Sequence, residues 1–408
     1  MTNLLWPGDQ RAGDLMSDET VFDNMIRVET VWLAVLARAG IAPAPCAGIG
    51  MHRWVAAEDR VALARGAEET GNPVPELVAL LRERVGGEHG RWIHRGLTSQ
   101  DVLDTALMLA FRAATEVIKS QLARQASALV VLAEKYRETP MLARTLTQPA
   151  VPTTFGVKAA VWLDGVVDAY ERVLVVTTPI QIGGAGGTRS AIGELIALSD
   201  TAASRAMSPE DLVEATAAEL DLDSWRPWHT ARAPITNAGD ALVGCVDVWG
   251  RIASDVVTMV RPEIGELSEP GLPGRGGSST MPQKRNPVLS ILIRRAAISA
   301  PQLSATLHIA AAFANDERPD GAWHAEWETL RTLTRQAVIA GDQCAELLSG
   351  LQVHDERMAA NLARFDVLAE QRAIADLSGK PASATYFGEC SRLVDGTVLR
   401  ARRTIADL

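Results

Sequence analysis

The chain has 408 residues, 47% of them hydrophobic and 22% charged, with a formal net charge of −10. That length and apolar content suffice for two or three domains with sizeable cores. An acidic chain without long basic clusters is a poor match for nucleic acid, and no apolar run approaches the roughly 18 residues that a membrane span needs. The opening Met-Thr-Asn-Leu-Leu-Trp-Pro-Gly-Asp lacks a basic n-region and an apolar h-region, which predicts a cytoplasmic protein without a secretory signal. Cys46, Cys245, Cys344 and Cys390 lie far apart with no CxxC or zinc spacing, and read as reduced thiols. The seven histidines show no HExxH-type pair, so no metal is expected.

In chain order, residues 21–39 have apolar side chains at helical spacing, with Gly40 as a stop. Gly71-Asn-Pro-Val-Pro75 is a turn opening a helix over 76–85, and Gly86-Gly-Glu-His-Gly90 breaks the chain again. Long helices then follow over 101–136, 154–176, 235–260, 288–314 and 322–348, with a kink expected at Pro301. The first has no internal Gly or Pro, and Thr98-Ser-Gln-Asp101 before it is close to a capping box. Helices of roughly 25–35 residues far exceed the globular mean of about 11–12. Their heptad spacing is too irregular for a simple coiled coil, so an all-α long-helix bundle completed by other subunits is expected. The predicted organisation is an N-terminal helical domain over 1–95, a central bundle over 96–345 and a short C-terminal helical domain over 346–408.

Four stretches place polar groups where a packed bundle has no use for them. The most informative is Gly274-Arg-Gly-Gly-Ser-Ser-Thr-Met-Pro-Gln-Lys-Arg-Asn-Pro287. With few apolar side chains it buries no core, and it offers backbone N–H groups, hydroxyls, an ammonium, a guanidinium and an amide. Those donors suit a carboxylate and developing negative charge. The second is His94-Arg-Gly-Leu-Thr-Ser-Gln-Asp101, at a helix start that favours an anion; pure capping is the competing explanation. The third is Arg144-Thr-Leu-Thr-Gln-Pro-Ala-Val-Pro-Thr-Thr-Phe-Gly156, where Gln148 is a candidate carboxylate donor and Arg144 is either ionic or structural. The fourth is Pro227-Trp-His-Thr-Ala-Arg232, with an imidazole and a guanidinium three residues apart.

Ser-Ser-Thr-Met-Pro-Gln-Lys-Arg-Asn-Pro resembles the signature loop of the fumarase/aspartase/adenylosuccinate lyase superfamily, and the resemblance extends over nearly the whole chain. Gly71-Asn-Pro-Val-Pro-Glu-Leu-Val78, His94-x-Gly-x-Thr-Ser-Gln-Asp-Val-Leu-Asp-Thr-Ala106, Gln148-Pro-Ala-Val-Pro-Thr-Thr-Phe-Gly-Val-Lys158 and Pro227-Trp-His-Thr-x-Arg232 bring it nearest to the 3-carboxy-cis,cis-muconate cycloisomerase branch. The resemblance implies an all-helical homotetramer with a twenty-helix core, active sites shared among three subunits, a small polycarboxylate substrate and no cofactor. By position, Ser278 becomes the catalytic serine acting at the carbon α to a carboxylate. Lys284 and Asn286, with Arg285 beside them, hold that carboxylate, and Thr98, Ser99, Gln148 and Arg232 bind the others. His94 joins the binding residues, and His229 joins Ser278 and Lys284 as catalytic; both histidines stay open as proton donors.

Relatives that expel an amine or water usually carry His after Arg-Thr in the third region, and here that position is Leu146. Leucine transfers no proton. A carboxylate, whose acid has a pKa of roughly 4, departs without one. Leu146 therefore argues against adenylosuccinate or argininosuccinate cleavage and for lactonisation, and equally permits nitrite leaving from nitrosuccinate. The leading expectation is a 3-carboxy-cis,cis-muconate cycloisomerase forming a carboxymuconolactone. A lyase of a substituted succinate is second, and a non-catalytic protein on the same scaffold third. Arg189, where the family has an apolar residue, and Ala233, where Asp is common, make the region more cationic, which suits a polycarboxylate.

Overall fold

The computed structural model describes residues 3–272, 274–278 and 280–405. Near the N-terminus, the helix Asp18–Arg38 starts where Ser17 Oγ accepts the Thr20 N–H at 3.1 Å. Helices Asp59–Thr70 and Val74–Val85 follow. Gly71 ends the first of them with φ +81°, a backbone conformation that a side chain would strain. Leu77, Leu81, Trp32 and Leu36 are fully buried and tie these helices to the rest of the molecule.

The centre is a bundle of five long helices: Ser99–Lys135, Phe155–Leu174, Ala233–Met259, Val288–Ala312 and Gly321–Ser349. The predicted helices are all present, with ends shifted by a few residues. The Ser99 helix opens in the expected capping box, where Asp101 accepts the Thr98 N–H at 2.9 Å. Pro301 lies inside the Val288 helix, which continues through it.

Side-chain pairs fix the helix directions. Gln121 and Gln125 donate to the carbonyls of Val338 (3.0 Å) and Gly341 (2.8 Å), and Trp249 donates to Gln125 at 2.7 Å. Near their starts, Asp104, Arg232 and Trp323 also meet. The Ser99, Ala233 and Gly321 helices therefore run the same way. Trp162 donates to Asp255 at 2.8 Å and Ser299 to Gln336 at 2.7 Å, so the Phe155 and Val288 helices run back. A Cβ on Gly250 would sit 2.5 Å from that of Ala297, and its absence lets two backbones approach closely.

One end of the bundle, here the capping end, gathers Thr98, residues 175–232 and residues 313–320. The opposite, hairpin end gathers residues 136–154 and the described residues of 260–287. The third polar stretch lies in a hairpin that the sequence analysis did not foresee: Pro140–Thr145 pairs antiparallel with Gln148–Thr154. Leu146 and Thr147 form its two-residue turn with φ +48° and +72°, the twist that suits a tight hairpin. The last helix, Cys390–Thr404, lies along the Phe155 helix, where Arg400 pairs with Asp164, Asp168 and Glu171. Cys46, Cys245 and Cys344 are buried, and burial raises their thiol pKa values. No described helix is long and apolar enough to cross a membrane.

Candidate active site at two ends of the bundle

At the capping end the organising residue is Asp101, which is fully buried. Its carboxylate accepts the N–H groups of Thr98, Gly183 and Gly184 and lies within reach of His229 Nε2, each at 2.9 Å. A carboxylate oxygen accepts, so Asp101 orients the ring with the Nε2–H toward itself and Nδ1 away from it. Nδ1 is turned toward Gly187. The ring packs against the glycine loop: a Cβ on Gly183 would be 2.6 Å from His229 Cε1. The glycine-rich run over residues 181–188 is thus the surface against which the imidazole packs.

His94 sits in the left-handed region at φ +62°, and its Nδ1 is 2.5 Å from the buried Glu29. Burial pulls the imidazole pKa down, but the charge and hydrogen bond of Glu29 outweigh it, and the net direction is up. Thr98 is buried and Ser99 half-buried at the helix start. The Thr98 hydroxyl accepts from the half-buried guanidinium of Arg318.

Arg232 departs from expectation. It is 2% exposed, and its guanidinium is clamped by Asp104 at 2.7 Å and Glu326 at 2.5 Å while lying over the Trp228 ring. With both edges taken, no face remains for a substrate carboxylate, and its place is structural. Arg189 is half-buried and donates to the carbonyls of Ile182 and Trp225, both at 3.0 Å, which fix its side chain without a carboxylate partner among the described residues. Arg144 resolves as structural too, forked onto the buried Glu266 at 2.9 and 2.7 Å.

At the hairpin end lies the signature loop. The Asn286 N–H and side-chain amide both donate to the Gly276 carbonyl, at 2.8 and 3.1 Å, closing the loop at its neck. Gly276 has φ +69°, and a Cβ there would lie 2.4 Å from the Asn286 carbonyl oxygen. Within the loop the half-buried Ser278 Oγ accepts the N–H groups of Thr280 (3.3 Å) and Met281 (3.2 Å). Lys284 and Arg285 are exposed beside it, and Arg285 donates to the carbonyls of Pro282 and Lys284. Gln148 is exposed in the hairpin and donates to Thr147 Oγ1 at 3.2 Å.

One chain therefore brings together His94, Thr98, Ser99 and His229 at one end and Ser278, Lys284, Arg285, Asn286 and Gln148 at the other. Between them runs the 25-residue Val288–Ala312 helix, about 37 Å at 1.5 Å per residue. No single substrate molecule of carboxylic-acid size spans that distance.

A family model described as Lyase matches residues 53–301. The chain belongs to this lyase family. It is 44% identical over 359 residues to nitrosuccinate lyase of Streptomyces davaonensis, covering 85% of this chain and 73% of that one. It is 37% identical over 391 residues to 3-carboxy-cis,cis-muconate cycloisomerase of Pseudomonas aeruginosa, covering 93% and 82%. The crystal structure of 3-carboxy-cis,cis-muconate lactonizing enzyme from Pseudomonas putida superposes with a TM-score of 0.81 at 28% identity over 98% of each chain. These relatives place the chain in the fumarase superfamily, as its motifs indicated, and make it a catalytic member of that lyase superfamily.

Within this family frame, the sequence reading missed Arg318, Asp101 and Glu326. Arg318 stands in Asn-Asp-Glu-Arg-Pro-Asp, which reads as an ordinary polar loop. Asp101 was visible only as a capping residue. Glu326 left a usable signal: it shares one helical face with Trp323, Trp327 and Leu330, an acid where an apolar residue is expected.

Proposed function

We propose that this enzyme eliminates a weakly basic leaving group from a substituted succinate, with nitrosuccinate as the substrate to be tested first and nitrite as the group expelled. The observation that carries the chemistry is the Ser278 hydroxyl under two backbone N–H groups, in a loop that also holds Lys284. A serine is a poor base until its alkoxide is stabilised, and these donors supply that stabilisation. The alkoxide removes the proton from the carbon α to one carboxylate. The electron pair passes through the enediolate-like carboxylate, whose added charge Lys284 and Asn286 face. It then forms the carbon–carbon double bond as the carbon–nitrogen bond breaks, its electrons leaving with nitrite. Fumarate is the second product. Leu146 offers no proton to the leaving group, and nitrite needs none. Thr98, Ser99 and Arg318 hold the other carboxylate, and His229, oriented by Asp101, carries protons at that end.

The order of the two leading expectations is the reverse of that reached from the amino-acid sequence alone, on one ground. The relative named for nitrosuccinate shares 44% identity with this chain, against 37% for the cycloisomerase of Pseudomonas aeruginosa. Lactonisation of 3-carboxy-cis,cis-muconate keeps its own support in the similarity of fold and motifs. Purified protein should release nitrite from nitrosuccinate rapidly and leave aspartate untouched. Loss of diene absorbance from 3-carboxy-cis,cis-muconate with no nitrite from nitrosuccinate would establish the second reading instead. Inertness to both, in folded and assembled protein, would refute both.

The separation of the two half-sites supports a site completed by neighbouring copies, in the homotetramer that the resemblance implies. Exposed apolar side chains along the long helices, among them Ile291, Ile298, Ile309 and Val131, offer the contact surface. Sedimentation should find a tetramer, and specific activity should fall as dilution dissociates it. A fully active monomer would overturn the shared site.

A further inference from the structure

The signature loop is held at three points, of which two explain themselves. At its neck, Gly276 and Asn286 close it. Where it enters the next helix, Glu269 caps the helix start, accepting the N–H groups of Leu289 (3.1 Å) and Ser290 (2.8 Å) and the Ser290 hydroxyl (2.6 Å). The third point is an ion pair reaching outside the loop. Arg275 meets Glu346 Oε1 at 2.6 Å, in the last turn of the Gly321–Ser349 helix. The other oxygen of Glu346 is 2.6 Å from Arg11, whose second nitrogen holds Asp342 at 2.5 Å. Arg11 itself lies on the short helix Asp9–Ala12, which is fixed to the Gly321 helix by Arg335 and Asp9 at 2.9 Å.

We propose that Glu346 is a positioning residue for catalysis: through Arg275 it holds the base of the signature loop against a rigid helix and so sets the place of the Ser278 hydroxyl. This rests on the assignment of Ser278 as the base. Only Gly276 and Gly277 separate Arg275 from Ser278, so a shift of one moves the other. The loop beyond the neck has little packing of its own, since Gly277 and residues 280–285 are exposed. Its order therefore depends on such fixed points. The carboxylate of Glu346 is suited to the task. Burial works to raise its pKa, the guanidiniums of Arg275 and Arg11 outweigh that, and the net direction is down, so it stays ionised at neutral pH. Arg11 holds Glu346 in turn, which makes the N-terminal segment part of the loop's support.

The test is hydrogen exchange of peptides from residues 274–287 in the assembled protein, with steady-state kinetics alongside. In Glu346→Gln, exchange in the loop should quicken about two- to fivefold, the scale of one partly exposed ion pair. Exchange in the Ser99 helix should be unchanged. Turnover should fall about 10- to 100-fold, as a displaced catalytic group requires, while KM moves less than about threefold. Arg275→Gln should give the same result from the loop side, and Arg275→Lys should restore part of it. Loop exchange at the wild-type rate in either folded variant would overturn the proposal. So would faster exchange with unchanged turnover. Exchange is read without substrate, so a failed clamp is distinguishable from a wrong assignment of Ser278, which an active Ser278→Ala enzyme would reveal.

Discussion

Ser278→Ala should lower turnover of the substrate by about 10²- to 10⁴-fold, the range general-base catalysis supplies, while leaving substrate binding largely intact. The reason lies in the loop geometry. The Thr280 and Met281 N–H groups remain in the variant, as do Lys284 and Asn286, so carboxylate recognition persists. What disappears is the oxygen that takes the proton. Such a loss appears in kcat and kcat/KM together, the mark of an interaction made in the transition state. Isothermal titration with substrate should show retained affinity alongside the lost rate. Turnover within tenfold of wild type would remove Ser278 from its role.

Arg232→Leu should destabilise the protein by about 3–5 kcal/mol, the cost of leaving buried charges without their partner. Asp104 and Glu326 are both buried and both lean on this one guanidinium, which Trp228 covers from one face. The triad has two acids to one base. Burial pushes the Glu326 pKa up, Arg232 opposes this, Asp104 adds to it, and the net direction is up. Burial disfavours the charged form of Arg232, but the two carboxylates outweigh it and raise its pKa. Glu326→Gln should therefore cost much less than Arg232→Leu, because it removes the surplus charge and keeps a hydrogen-bonding group. Urea unfolding of both variants at equal protein concentration checks the order. An Arg232→Leu protein as stable as wild type would return Arg232 to the list of residues free to meet substrate.

The bundle was legible because long apolar periodicity survives without knowledge of partners. The stretch after Thr98 has no helix breaker for more than thirty residues, and one helix fills it. The hairpin at 140–154 was not legible: its strands are short, carry Pro149 and Pro152, and pair only with each other. The signature loop was legible because so dense a set of polar groups and glycines has no use in a core. Arg232 was misjudged because its partners lie 128 and 94 residues away in sequence, and a guanidinium looks the same before and after it is paired. Asp101 shows the same limit. Its capping role is local and readable, but its hold on His229 and the glycine loop is made only when distant segments meet.

Three helices run one way and two the other, and if neighbouring copies complete the site this arrangement sets when the enzyme begins to work. A newly folded chain has its two sets of polar groups at opposite poles, each facing away from the other. Under the shared-site reading, such a chain is inert however well it has folded. Its catalytic life starts at the encounter with its siblings, so assembly is itself the activation step, and the first burst of activity after synthesis follows the concentration of chains more steeply than in direct proportion.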